Sequence, residues 1–218
     1  MERYFVFDNF NTYYDWNSIL TGKTIAPPEA KTKYVDIDGM SGSLDLTESL
    51  AGEVRYKDRS VSASFWTNTG NRAERENLMC EIISQLHGKK IKIVEPDDPD
   101  HYFYGRAKVS INKNIIPYSE FSIDCTCEPW RYAIEETIRR LDIDSQAVTN
   151  MIFHNKGVKT LCPDIIVNGY VDIIYDGVKT SLTAGSYRIT DLKLRQGSNI
   201  VGVSGIGSVT FKYREATL

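Results

Sequence analysis

The sequence predicts a mainly β (α+β) protein with a single helix, and three observations carry that expectation. Apolar residues fall on alternate positions in many short segments, as with Phe121, Ile123, Cys125 and Cys127, and alternation marks a strand with one buried face. Only the stretch 71–88 spaces its apolar residues as a helix does. From residue 144 onward, glycines recur between short β-rich segments, the texture of a small sandwich or jelly roll.

The chain opens with aromatic, β-rich residues at 4–9 (YFVFDN) and 11–16 (NTYYDW), which predict a strand and a decorated turn before Pro27 and Pro28 break regularity. Residues 34–38 and 53–66 alternate, and the phase changes between Tyr56 and Val61, so a bulge or break is expected near Asp58. The connection between these two segments is rich in Gly and Ser and carries Leu44, Leu46 and Leu50. A hairpin closes with two residues, whereas this connection has roughly a dozen, so it is expected to be an arm that packs on another subunit. Two strands flanking the arm are the simplest account of 34–66.

In 71–88, Leu78, Met79, Ile82, Ile83 and Leu86 form one stripe that packs on the protein's own sheet. Asn71 is placed to cap the helix with Glu74 three residues on, and Gly88 suits the left-handed position after its end. Residues 90–94 (KIKIV) read as an edge or half-exposed strand. The acidic stretch 95–104 (EPDDPDHYFY) offers Asp97, Asp98 and Asp100 as a carboxylate pair of the kind a glycosidase needs. Pro96 and Pro99 favour instead a solvated turn in which Asp caps backbone amides. Residues 105–111 and 119–127 form an antiparallel pair, ended by Pro129 and Trp130, and the polar stretch 133–144 holds a domain boundary. The expected domains are 1–138 and 139–218. In the second, short strands are predicted at 147–155, 164–167, 171–175, 178–182, 185–190, 197–203 and 207–214, with Gly157, Gly169, Gly177, Gly185, Gly197 and Gly205 at the turns.

Composition narrows the function. The chain has 218 residues, 41% of them hydrophobic, enough for a proper core. Lys and Arg total 26 against 29 acidic residues, a net charge of −3, which lacks the cationic excess that specific nucleic-acid binding requires. No stretch approaches a membrane span or the apolar core of a signal peptide, so a soluble chain made in a bacterial cytoplasm is expected, with no membrane partner. Cys125 and Cys127 lack the two-residue spacer of redox and zinc motifs and face one side of a strand, where they read as small buried hydrophobes. Asp45, Thr47 and Glu48 have no calcium-loop spacing, and His87, His101 and His154 are scattered. No metal, cofactor or catalytic residue is assigned.

No nucleophile, base and orienting group assemble, and no phosphate loop lies between a strand and a helix, so an enzyme is not expected. Two binding functions remain. A sandwich displaying Tyr170, Tyr175, Tyr187 and Tyr213 could stack on sugars. An assembly protein would use the arm and the sheet edges to reach its neighbours.

Several stretches resemble the distal tail proteins of long-tailed, non-contractile bacteriophages and Gram-positive prophages. They are YVDIDG (34–39), GSLDLTESL (42–50), YKDR (56–59), LHGKK (86–90), DPDHYFYGR (98–106), CEPWRY (127–132) and GSNIVGVSGIGSVTFKYRE (197–215). Their order spans most of the chain; Glu128 stands where such proteins usually carry Asp. The resemblance implies an N-terminal split barrel related to tail-tube proteins, with one helix and a long arm, then a galectin-like β-sandwich. It also implies a structural role: a hexameric ring at the tail tip or baseplate, between the tail tube and the tip hub protein, with receptor-binding proteins attached, located in the virion. The subunit-interface candidates are Leu44, Leu46, Leu50 and Tyr56. The ring's bore is expected to be acidic or neutral, because a basic lining would hold DNA in transit.

Overall fold

The computed structural model describes residues 3–49, 52–114 and 117–218. Contacts divide the chain into two units, one running to Arg131 and including Leu218, the other from Tyr132 to Thr217.

The first unit holds β1 (Val6–Phe7), β2 (Phe10–Asn11), β3 (Ile19–Ile25), β4 (Tyr34–Asp36), β5 (Ser43–Asp45), β6 (Arg59–Thr67), α1 (Arg72–Leu86), β7 (Lys90–Glu95), β8 (Asp98–Asn114) and β9 (Ser119–Cys127). Its main sheet runs β2-β1-β7-β8-β9-β6-β3 and does not close. Alternation in the sequence becomes alternation in burial: Val61, Ala63 and Phe65 of β6 face the same core as Phe121, Ile123, Cys125 and Cys127 of β9. Phe65 stacks on Phe121 with ring centroids 5.2 Å apart. Both Cys125 and Cys127 are buried, and burial pushes each thiol up, Cys127 to about 12.

Helix α1 forms where its stripe predicts. Asn71 Oδ1 accepts from the Glu74 amide at 3.1 Å and Glu74 Oε2 accepts from the Asn71 amide at 3.0 Å, a reciprocal cap. Gly88 takes φ +76° just after the helix. Met79, Ile82 and Leu86 are buried, with Leu78 and Ile83 packed at the margin, and burial of such a side chain contributes about 1.5–3 kcal/mol.

Three sequence expectations change in this unit. The strands flanking the arm are β3 and β6, paired antiparallel from Ile19↔Trp66 to Ile25↔Val61. Segment 34–38 pairs instead with residues inside the arm, as β4 with β5, because the apolar alternation there serves a separate ribbon and not the main sheet. Strand β7 lies between β1 and β8, so of its two readings the edge fails and the half-exposed strand holds, with Lys90 and Lys92 exposed and Ile91 and Ile93 buried. The acidic stretch turns over Pro96 and Asp97 alone, and β8 starts at Asp98 because Glu95↔Asp98 already pair.

The second unit contains β10 (Arg131–Ala133, shared at its first residue), β11 (Thr137–Ile143), β12 (Thr149–Asn155), β13 (Asp164–Tyr175), β14 (Val178–Leu182), β15 (Gly185–Arg188), β16 (Gly197–Tyr213) and β17 (Ala216–Thr217). Strand β11 crosses position 138. Two long strands organise the unit. The first half of β16 pairs with β12 and the second half with β11, while the first half of β13 pairs with β15 and the second with β14. Strands β13 and β16 pair with each other from Asp164↔Lys212 to Ile174↔Gly202.

Gly169 and Gly205, expected in turns, lie inside this ladder. Gly169 pairs with Gly207 and Gly205 with Val171, at φ of +106°, +134° and +133° for Gly169, Gly207 and Gly205. A Cβ on any of the three would collide with the backbone of the opposite strand. Glycine marks a sheet bend as readily as a turn, so the sequence pattern alone did not distinguish them. Across the bend the buried parity is unbroken: Ile165, Val167, Val171 and Ile173 from β13 join Val201, Val203, Val209 and Phe211 from β16 in one core. One sheet thus folds over its own apolar face as a β-sandwich.

Candidate assembly surfaces

The arm is a ribbon rooted on β3 and β6. Arg59, buried at the start of β6, donates from Nε to the Ala26 carbonyl at 3.0 Å and from Nη1 to Pro129 at 3.3 Å, with its guanidinium 4.9 Å from the Phe103 ring centre. Burial pulls the Arg59 guanidinium below its usual range; three neutral partners hold the charge in place. Further out, Ala30 bridges to Tyr56, the Lys57 amide donates to Glu29 O at 2.8 Å and Lys31 to Arg55 O at 2.7 Å. Lys57 Nζ also meets Glu29 at 2.9 Å, holding that carboxyl below its ordinary value.

Beyond the root, β4 and β5 pair in the register Tyr34↔Asp45, Val35↔Leu44 and Asp36↔Ser43. Alternation gives this ribbon two unlike faces. One carries Val35 and Leu44, with Ile37 and Leu46 next along the same side. The other carries Tyr34, Asp36, Ser43 and Asp45. Neither face is covered: Tyr34 is 60% exposed, Met40 47%, Ile37 46% and Leu44 40%. A two-stranded hairpin without a third strand or a packing partner is marginal in water, so this one is built to be covered.

Of the four interface candidates, Leu44 is exposed and Leu46 half-buried on the apolar face, while Leu50 lies outside the described residues. Tyr56 sits at the root with its ring edge-on to Trp130 at 5.7 Å. The structure therefore brings Leu44 and Leu46 together and sets Tyr56 apart. Tyr34, Val35 and Ile37 are exposed beside them and were not singled out, because their alternation read as a strand of the main sheet; Met40, also exposed, lay in the connection and was passed over.

The other candidates disperse. Asp45 Oδ1 accepts from the Thr47 amide at 2.9 Å and from its hydroxyl, which holds the carboxyl low and closes a local turn. Asp97 meets Lys23 Nζ at 2.7 Å, and that hydrogen bond lowers its carboxyl, the wrong direction for a general acid. Lys23, which also pairs with the buried Glu95, is pulled down by burial but held above its ordinary value by Asp97 and Glu95. Asp98 is taken by His101 Nδ1 at 2.8 Å and Arg131 Nη1 at 3.2 Å. These carboxylates pair with the side chains of Lys23, His101 and Arg131 and do not cap backbone amides as the turn predicted. The four tyrosines share no platform: Tyr213 is buried, Tyr175 and Tyr187 pack against the second core, and Tyr170 alone is exposed.

A second surface is an open groove of about 820 Å³ on the main sheet, lined by the hydroxyls of Ser60, Ser62 and Thr126, by Lys90, Arg106 and Lys108, and by an equal number of acids, Asp58, Asp124 and Glu128. Among the described residues no cluster of three His, Cys, Asp or Glu side chains is arranged to hold a metal, and no helix is long and apolar enough to cross a membrane.

An open antiparallel sheet with one helix and an outlying ribbon, followed by a glycine-bent sandwich, defines a two-unit, mainly β class of fold. The same fold is found in the crystal structure of SPP1 Dit (gp 19.1), a protein presented as a paradigm of the hub adsorption apparatus in phages that infect Gram-positive bacteria. The two superpose with a TM-score of 0.71 over 100% of each chain, at 13% sequence identity. No family model matches the chain, and no curated protein sequence matches it.

Proposed function

We propose that this chain is a structural, non-enzymatic protein of a phage tail's distal end. Copies assemble head to tail into a ring, hexameric in the resemblance that the sequence carries, with the tail tube on one side and the tip hub protein on the other. The N-terminal domain makes the ring, and the C-terminal sandwich offers a place for receptor-binding proteins. The finished protein resides in the virion.

The observation that carries this reading is the fold match to SPP1 Dit over the whole of both chains. The bare ribbon supports it independently. A heterologous ring needs two different patches on each subunit, and the apolar face of β4–β5 supplies one. Removing residues 41–51 is expected to leave a folded monomer and to abolish ring formation, read by electron microscopy and sedimentation. Deleting the gene is expected to leave a phage lysate without complete tails; normal tails after deletion would refute the tail role. A ring whose bore is strongly positive would contradict the expected acidic or neutral lining.

A further inference from the structure

The end of the β13–β14 hairpin carries a cleft that the sandwich leaves open. The register pairs Ile173 with Thr180 and Tyr175 with Val178, so these four side chains share one face of the hairpin. Asp176 and Gly177 turn the chain between the strands, both at positive φ, +49° and +78°, which suits the twist of a two-residue hairpin turn. The stretch after β15 supplies the other wall, where Ile189, Asp191 and Leu192 complete a cleft of about 190 Å³. Both walls are pinned by the chain itself. The Tyr175 hydroxyl donates to the Lys193 carbonyl, and the Leu192 amide donates to the Ile189 carbonyl at 3.2 Å.

The chemistry of the cleft is one-sided. Ile173 and Leu192 are buried, whereas Val178 remains 63% exposed, so apolar surface runs from the core out to solvent. Two carboxylates, Asp176 and Asp191, line the cleft and no Lys, Arg or His does; Lys193 and Arg195 are exposed and outside the lining. Elsewhere in this unit Asp142, Asp164 and Asp172 each meet a cation of the same unit. Asp176 and Asp191 form no ion pair among the described residues. Sites that enclose a whole small molecule measure roughly 300–1,000 Å³, so this volume suits a single side chain. An apolar wall below unpaired carboxylates selects a long aliphatic stem with a cationic head. Arginine fits better than lysine: its planar fork of donors can serve two carboxylates, and its weakly hydrated head can stack on an aromatic ring such as Tyr175.

Resting on the tail reading above, we propose that this cleft takes an arginine side chain presented by a protein that attaches to the C-terminal unit in the tail. The stem lies against Val178 and Leu192, and the guanidinium is shared between Asp176 and Asp191. Arginines that fill such pockets are typical anchors of an interface.

The first test is nuclear magnetic resonance of the full chain, reading the methyl signals of Val178, Ile189 and Leu192. The probes are three capped tripeptides with arginine, lysine or citrulline between two glycines. The arginine peptide is expected to shift these signals and to saturate in the millimolar range, the lysine peptide to bind more weakly, and the neutral citrulline peptide about tenfold more weakly. Asp176→Asn and Asp191→Asn are each expected to weaken arginine binding about threefold, and more in combination. Asparagine tolerates the positive φ at 176, and circular dichroism checks the fold. Citrulline or lysine binding as well as arginine, or an unaffected double variant, overturns the site.

The second test is a phage carrying the double variant. Complete tails that lack one attached protein are expected in purified virions. A full complement of proteins overturns the assigned occupant, and so do incomplete tails, which would implicate the cleft in assembly and not attachment. The tail role itself is judged separately, on deletion of the gene.

Discussion

Strand pairs β4–β5 and β13–β16 are both antiparallel ladders punctuated by glycines, and they end in opposite situations. In β13–β16 the glycines let two long strands bend together, so that one face wraps a core containing Phe153, Val171, Val203 and Phe211. In β4–β5, Gly39 and Gly42 merely close a short turn, at φ of +87° and +80° with open space around each, and both faces stay wet. The same pairing therefore yields a self-supporting sandwich in one place and a ribbon that lacks a partner in the other. Hydrogen bonding is common to both; the buried apolar area decides which one stands alone.

That contrast can be broken in four places. The largest effect is expected from Phe211→Ala, which empties a fully buried site where Phe211 meets Phe153 at 5.0 Å. It should cost about 4 kcal/mol in urea denaturation, and a loss under about 1 kcal/mol would mean that the two halves do not share a core. Next comes Gly207→Val, which forces a side chain into the Asn168 backbone at positive φ. A loss of about 3 kcal/mol is expected, and near-wild-type stability would show that the sheet does not bend there.

A smaller effect concerns acid stability of the second unit. Asp172, almost wholly buried, is held below the usual carboxylate range by hydrogen bonds from Lys179 at 2.8 Å and Ser181 at 2.6 Å. A carboxyl lowered by folding contributes stability that is complete above its ordinary value near 3.8 and fades as pH falls through the folded value. Asp172→Asn should flatten that acid limb of a denaturation series, and an unchanged slope would remove Asp172 as its source. The smallest effect on folding belongs to the ribbon: Leu44→Ser should change the isolated chain by less than about 0.5 kcal/mol while weakening association. A large loss in the monomer would show that the ribbon is already packed.

Much of this was legible from residues alone. The helix was, because Asn71, Glu74, the stripe from Leu78 to Leu86, and Gly88 are all local signals that agree. So was the β8–β9 pair, since alternation in both partners fixes which side is buried. Strand β3 was missed: ILTGKTI alternates poorly, and its burial pattern shows it lying half-exposed at the end of the sheet. The arm was found as an anomaly of length, and of its described leucines Leu44 is exposed and Leu46 half-buried, but the pairing of 34–36 with 43–45 was not foreseen. Local alternation states that a segment is a strand without naming its partner.

What the sequence by itself determined is the class: mainly β, one helix, a long arm and a near-neutral chain, all properties of periodicity, capping and composition over a few residues. Tertiary structure alone decided the rest. It made Gly169, Gly205 and Gly207 a bend and not turns, because only the opposite strand's backbone forbids a Cβ there. It also left β4–β5 bare and two-faced, because exposure depends on what the rest of the chain fails to cover, and no local pattern records that.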